Sequence, residues 1–170
     1  MSEKNTKNIF LFINSLPPTA EKAVRKLEQR NEKKYRIMLL LDSRSKFKSQ
    51  NIDLADIVAE CDFSKSIKIG SALLPYQKEL LAVTCRSESN IARFVKVIPE
   101  VPFLRTPSTE SLLWSSDKYQ MRRRFRLHDP KNTPKFSLIE GNTKNERERI
   151  IAKVGFPMVI KPTNLAASAL

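Results

Sequence analysis

Short apolar runs alternate with segments of helical periodicity over about the first hundred residues of the chain. Continuous apolar runs of this length predict strands that are buried on both faces, and the intervening segments predict helices that cover them. The predicted strands are residues 9–14, 36–42, 57–63 and 80–85. One predicted helix begins at Thr19, and two further helices span residues 67–76 and 90–98. This order predicts a parallel, doubly wound α/β domain.

The pattern changes after Pro99 and Pro102. Helices are predicted from Thr106 to about residue 114, from a cap at residues 115–117 to about 127, and from a capping box at residues 143–146 to Gly155. Short strands are predicted at residues 135–139 and 156–161, the second of them apolar, buried and stopped by a proline. We therefore predict a sheet domain at residues 1–104 and a second, incomplete domain at residues 105–170.

Composition narrows the class of protein. A hydrophobic content of 41% is enough for a packed core and argues against wholesale disorder. No apolar run approaches the length of a membrane span, and the polar N-terminus has no signal-peptide pattern, so we expect a cytoplasmic protein without a membrane partner. Cys61 and Cys85 match no metal spacing, His128 has no catalytic neighbours in the sequence, and neither a catalytic nor a metal-binding residue is predicted.

The net charge of +13 raises the question of a nucleic-acid partner. Most basic residues are spread along the chain, and the one local cluster is Arg122, Arg123, Arg124 and Arg126. No aromatic-rich strand motif or zinc spacing accompanies that cluster, so the pattern favours an exposed, solvated helix face over a nucleic-acid site.

Two lysines occupy unusual positions. Lys161 ends the predicted apolar strand and precedes a loop of small residues, where its ammonium group either meets an anion or extends to solvent. Lys118 lies in the first turn of its helix, where the helix dipole disfavours a cation. The residues alone leave both the phosphate-binding and the surface interpretation open.

A resemblance joins these segments. The stretch TPSTESLLWSSDKYQMRRRF, the segment TPKFSLIE, a capped helix and VGFPMVIKP together resemble the start of an ATP-grasp domain. In that family, a helix beginning with Asp-Lys and a strand reading Gly-(Phe/Tyr)-Pro-hydrophobic-Lys-Pro each supply one lysine to the nucleotide. The resemblance implies that Lys118 and Lys161 bind ATP and that Ser168 lies in the loop that closes over the phosphates. It covers nearly the whole chain and is most specific at residues 106–162.

The resemblance also implies a fold and an activity. The expected fold is a Rossmann-like pre-ATP-grasp domain followed by the start of an α+β ATP-grasp lid. The expected parent enzyme is an ADP-forming carboxylate–amine ligase, in which ATP phosphorylates a carboxylate and an amine attacks the acyl phosphate. ATP and a carboxylate substrate are the implied partners, and a homodimer is an open possibility.

Two departures from the family pattern limit this expectation. The phosphate loop reads NLAASAL and lacks the glycines of many relatives, and no Asp or Glu follows Glu148. Because magnesium requires hard oxygen ligands, we expect Mg²⁺ only in the complete enzyme and regard this chain as an N-terminal part that is inactive alone. The alternatives are a basic nucleic-acid-binding module and a non-catalytic scaffold domain.

Overall fold

The structure is a computed structural model that describes residues 7–45 and 51–164. The chain forms two compact units, Met1–Leu112 and Leu113–Leu170. This division falls somewhat later than the boundary expected at residue 104, and the family identity of the two parts stays a prediction. Among the described residues, no helix is both long enough and apolar enough to cross a bilayer.

The first unit is built on a four-stranded parallel sheet, which confirms the predicted α/β class. The strands are β1 (Ile9–Ile13), β2 (Arg36–Asp42), β3 (Ile57–Cys61) and β4 (Leu80–Thr84). Their order in the sheet is β3-β2-β1-β4, and all three neighbouring pairs are parallel. The chain therefore builds outward from β1 in one direction and then returns to pair β4 with the other side of β1.

Three α-helices accompany this sheet: α1 (Pro18–Asn31), α2 (Ser66–Leu73) and α3 (Ile91–Val97). Single 3-10 turns lie at Ile52–Leu54, Leu74–Tyr76, Glu88–Asn90 and Ile98–Glu100. The helix α1 begins with Pro18 at its first position, one residue before the predicted cap Thr19. Proline is suited to that position because the amide it lacks has no helical partner there.

Both faces of the sheet are covered, as a doubly wound arrangement requires. Alternate residues of β2 enter different core clusters, because successive side chains of a strand point to opposite faces. Ile37 and Leu39 pack with Val24 of α1, whereas Met38 and Leu40 belong to the cluster that contains α2 and α3. The apolar runs of β1 and β2 are therefore buried on two sides, whereas the edge strand β3 exposes Val58 and Glu60 on one side, contrary to the expectation.

The helix α4 (Thr109–Ser116) spans the division between the units. It begins three residues after the predicted cap Thr106, and the Ser111 amide donates to Ser108 Oγ at 3.0 Å. The second unit then contains α5 (Lys118–His128) and α6 (Lys144–Val154).

The capping box predicted at residues 143–146 is only half formed. Thr143 Oγ1 accepts a hydrogen bond from the Glu146 amide at 3.2 Å, as predicted. The Glu146 carboxylate, however, accepts from the Glu140 amide and from Arg149 instead of from the Thr143 amide. An arginine three residues along the helix supplies a charged donor, which competes well with a backbone amide.

The strands predicted at residues 135–139 and 156–161 are wrong as secondary structure, since neither segment is a strand. No strand occurs among the described residues of the second unit, so the backbone groups of these segments have no ladder to join. The segment predicted to be buried is instead open to solvent, with Phe156, Val159 and Ile160 exposed by 74%, 79% and 69%. Lys161 is also exposed, so it does not end a buried strand.

Gly155 ends α6 as predicted, and its backbone explains why. Its φ is +84°, in the region that favours glycine, and its amide donates to Ile151 O at 2.9 Å. We expect Gly155→Ala to destabilise the second unit by about 1 kcal/mol through backbone strain alone, because an added Cβ meets no atom within 4 Å.

The measurement is urea unfolding followed by the fluorescence of Trp114, the single tryptophan. Gly141→Ala is the matched control, because a Cβ there also meets nothing within 4 Å and the backbone is not left-handed. The control should change the free energy of unfolding by less than about 0.5 kcal/mol. Equal effects of the two variants would contradict a conformational role for Gly155.

Candidate functional site

The N-terminus of α5 carries the first of the two predicted nucleotide-binding lysines. Asp117 precedes the helix in an extended conformation, and its Oδ1 accepts a hydrogen bond from the Gln120 amide at 2.9 Å. This cap fixes where the helix begins and places Lys118 at its first position, within the first turn that the sequence predicted. Lys118 is half-buried, in contrast to the exposed Arg123, Arg124 and Arg126 later in the helix.

A backbone hydrogen bond connects this helix end to the segment of the second lysine. The Lys118 amide donates to Thr163 O at 2.7 Å. The first amides of a helix have no partner within the helix, so a carbonyl from elsewhere in the chain can accept from one of them. Thr163 lies two residues after Lys161, and the structure therefore brings the two lysine-bearing segments together in one unit. Ser168, the third predicted residue, lies outside the described residues.

The two lysines differ in their surroundings. Lys161 is exposed and follows the open apolar segment at residues 156–160, whereas Lys118 is half-buried beside the cap of α5. The environment predicted for Lys161, at the end of a buried strand, is thus absent. No burial penalty therefore requires an anion beside the Lys161 ammonium group. A phosphate contact by Lys161 would rest on electrostatic attraction at an accessible site.

The residues present do not fit a magnesium site. Within residues 7–45 and 51–164, no group of three or more His, Cys, Asp or Glu side chains could hold a metal ion. The sequence also contains no carboxylate after Glu148. Magnesium is held mainly by carboxylate and other oxygen ligands, and residues 7–45 and 51–164 contain no carboxylate cluster that fits such a site.

A second candidate site lies in the first unit, at the carboxyl ends of the strands. Asn14 follows β1, Asp42 ends β2, and Asn90 and Arg93 lie at the start of α3 after β4. The Asn14 Nδ2 donates to Asn90 Oδ1 at 3.2 Å, and the Asp42 amide donates to Asn14 Oδ1 at 3.0 Å. Arg93 donates to Asp42 Oδ2 at 2.9 Å and to Asn90 Oδ1 at 3.1 Å.

The position of this polar network has a topological reason. In open α/β sheets, ligands bind outside the carboxyl ends of the strands, where the strand order reverses. The order β3-β2-β1-β4 reverses between β1 and β4, and Asn14 and Asn90 are the buried polar residues that follow those strands. Asn14 also adopts a φ of +54°, which non-glycine residues seldom do. The network can hold donors and acceptors in fixed orientations at the edge where a ligand would enter.

Asp42 is ionised within this network. Burial alone would raise the pKa of its carboxyl group, but the hydrogen bond from Arg93, the amides of Arg44 and Phe63 and the Arg93 charge together lower that pKa. A carboxylate that accepts several hydrogen bonds is a fixed negative charge, suited to orienting Arg93.

The sequence analysis missed this network. Its hydrogen-bonded pairs are separated by up to 76 positions, and only the sheet order brings them together. One signal was available: polar residues directly follow the buried runs of β1 and β2, and the carboxyl ends of neighbouring parallel strands share one edge of the sheet.

The pKa values of both cysteine thiols are raised. Burial is the main cause that raises the pKa of the Cys61 thiol, to about 11, and the nearby carboxylates of Asp42, Asp62 and Glu60 add to the increase. Burial also raises the pKa of Cys85, whose Sγ donates to Ser87 O at 3.3 Å. Both groups are therefore thiols near neutral pH, and neither has the lowered pKa of a reactive nucleophile.

A comparison with protein-family models found no match for this chain, and a comparison with curated proteins found none either. The assignment of a function therefore depends on the chain's own residues and geometry.

The Arg93–Asp42 ion pair predicts a pH-dependent stability. We expect Arg93→Met to lower the free energy of unfolding by about 1–3 kcal/mol at pH 7, because Asp42 keeps its charge but loses a charged donor. The folded pKa of Asp42 is below its unfolded value, so its stabilisation is complete above about pH 5 and is lost as the pH falls through that folded pKa.

Urea unfolding followed by circular dichroism at several pH values from 3 to 7 measures this effect. The difference in the free energy of unfolding between the wild type and Arg93→Met should become smaller below about pH 4. Arg86→Met, at an exposed arginine near the same edge, should change stability by less than about 0.5 kcal/mol throughout. A gap that stays constant down to pH 3 would show that the methionine acts through packing and not through the ion pair.

Proposed function

We propose that this chain forms the N-terminal part of an ATP-dependent carboxylate–amine ligase of the ATP-grasp type and contributes nucleotide-binding lysines. The observation that supports this most is the 2.7 Å hydrogen bond from the Lys118 amide to Thr163 O. It joins the two segments whose motifs carry the family resemblance, although 45 positions separate the bonded residues in the sequence. A shared nucleotide requires this proximity.

The parallel α/β unit before residue 113 also agrees with the proposal. A parallel sheet covered by helices is the architecture expected of a pre-ATP-grasp domain, although other α/β proteins have such sheets as well. The sheet therefore supports the proposal only in combination with the motifs from Thr106 to Pro162.

The proposed role of the lysines is electrostatic. In the parent reaction, ATP phosphorylates a carboxylate, an amine attacks the acyl phosphate, and ADP leaves. The transferred phosphoryl group carries its negative charge on oxygen atoms, and positively charged groups placed beside these oxygens stabilise that charge. Lys118 and Lys161 would attract and orient the phosphates and the adenine side of ATP, and neither acts as a general base.

The proposal predicts weak ATP binding that depends on both lysines. Lys118→Ala and Lys161→Ala should each weaken binding of a fluorescent ATP analogue by about tenfold, the amount expected when a charged hydrogen bond of about 1.5 kcal/mol is lost. Fluorescence anisotropy titrations in the presence of EDTA measure the binding without a metal contribution. Unchanged Trp114 fluorescence would show that the variants keep their fold.

Lys153→Ala is the control, because Lys153 is an exposed lysine of α6 in the same unit. It should bind the analogue with the wild-type affinity. Equal losses in all three variants would reduce the effect to net charge and contradict the proposal. Release of ADP by the isolated chain that is lost in Lys161→Ala would contradict the expectation that the chain is inactive alone.

A further inference from the structure

The helix α5 carries only positive charges on its side chains. No aspartate or glutamate occurs between Asp117 and Asp129, whereas Arg122, Arg123, Arg124 and Arg126 all lie within this interval. The last three of these arginines are exposed. Cations three or four residues apart on a helix repel one another, so this arrangement destabilises the free helix unless anions surround it.

The neighbouring carboxylates are engaged elsewhere. Asp117 caps the helix through the Gln120 amide, and Asp129 accepts hydrogen bonds from the amide and the side chain of Asn132. Among the described residues, Arg122, Arg123 and Arg126 form no ion pair. Arg149 of α6 shows the contrasting case, because its guanidinium group pairs with Glu146 at 2.6 Å.

Aromatic rings lie beneath three of these arginines. The guanidinium carbon of Arg124 lies 3.4 Å from the ring centroid of Trp114, in direct contact with the ring face.

The guanidinium carbons of Arg123 and Arg126 lie 6.0 Å from Tyr119 and 5.9 Å from Phe136, and these two rings meet edge to face at 5.8 Å. The ring contacts help to hold the guanidinium groups of Arg123 and Arg126 in place without neutralising their charge.

The arrangement fits a chain of phosphates better than a membrane surface. With about 100° between successive residues of a helix, Leu127 lies among the arginines while Phe125 lies about 160° away from it. The two exposed apolar side chains of α5 therefore share no continuous face, which a helix buried in a bilayer surface requires. Arginines held on rings suit successive phosphate groups, since a guanidinium group donates two hydrogen bonds to one phosphate.

We propose that the arginine face of α5, formed by Arg122, Arg123 and Arg126 within about 100° of the helix circumference, binds the phosphate backbone of a nucleic acid without reading its sequence. This function goes beyond the proposed ligase role and does not depend on it. The sequence analysis disfavoured a nucleic-acid partner because no aromatic motif accompanied the arginines. The structure shows that the aromatic residues come partly from outside the helix, since Trp114 belongs to α4 and Phe136 to the loop before α6.

A fluorescein-labelled 20-nucleotide oligo(dT), titrated with the full chain between 50 and 200 mM salt in EDTA, tests this proposal. Contacts from three arginines predict a slope of about −2 in a plot of log affinity against log salt concentration. In the double variant Arg123→Gln/Arg126→Gln, the slope should become less negative by about 1.4, and affinity at the lowest salt should fall at least tenfold. Millimolar ATP should compete no better than its ionic strength explains.

A matched variant separates this face from the net charge of the chain. Arg147→Gln/Lys153→Gln removes two exposed charges from α6 in the same unit and should change affinity less than twofold.

Three results would overturn the proposal. The first is an equal loss of affinity in the α6 variant, which would reduce binding to net charge. The second is equal affinity for a polyglutamate peptide of the same charge, which would indicate any polyanion. The third is binding to vesicles with 30 mol% phosphatidylserine without binding to oligo(dT), which would assign the face to membranes. Circular dichroism of each variant checks that α5 is retained.

Discussion

The amide of Lys118 and the carbonyl of Thr163 form a hydrogen bond on which the functional interpretation of the second unit depends. The described part of this unit has no sheet, so its segments are held by helix caps, ring contacts and a few long-range hydrogen bonds. An amide in the first turn of a helix requires an acceptor from outside the helix, and here the acceptor comes from the segment that carries Lys161. One backbone hydrogen bond therefore gives the Lys118 amide an acceptor and brings the segments of Lys118 and Lys161 together.

The first unit depends on a different constraint, the burial of both faces of a parallel sheet. This constraint explains why the sequence alone predicted the central strands β1 and β2, since their runs are apolar on both sides. The edge strand β3 was predicted too, although it alternates between partly buried and exposed residues. The same reasoning failed for residues 156–161. An apolar run becomes a strand only where a neighbouring strand accepts its hydrogen bonds, and composition carries no information about that neighbour. The cap of α5 was predicted within residues 115–117 and lies at Asp117, whereas the capping box at residues 143–146 was misjudged because Arg149 competes for Glu146.

Long-range proximity was the part of the site that the sequence could not provide. The network of Asn14, Asp42, Asn90 and Arg93 depends on the sheet order, and the rings beneath the α5 arginines come partly from other elements. In both cases the single residues look ordinary, and only their arrangement suggests binding. The chain thus has three candidate binding features: a polar edge on its parallel sheet, a pair of lysine-bearing segments and an arginine face. Each is suited to a different anionic or polar ligand.

Protection of lysines from acetylation by ATP, quantified by mass spectrometry, tests the central claim most directly. If one triphosphate lies between the two segments, Lys118 and Lys161 will be protected together, with the same midpoint in ATP concentration, while Lys153 keeps its reactivity. Protection of only one of the two, or protection with clearly different midpoints, would contradict a shared nucleotide site.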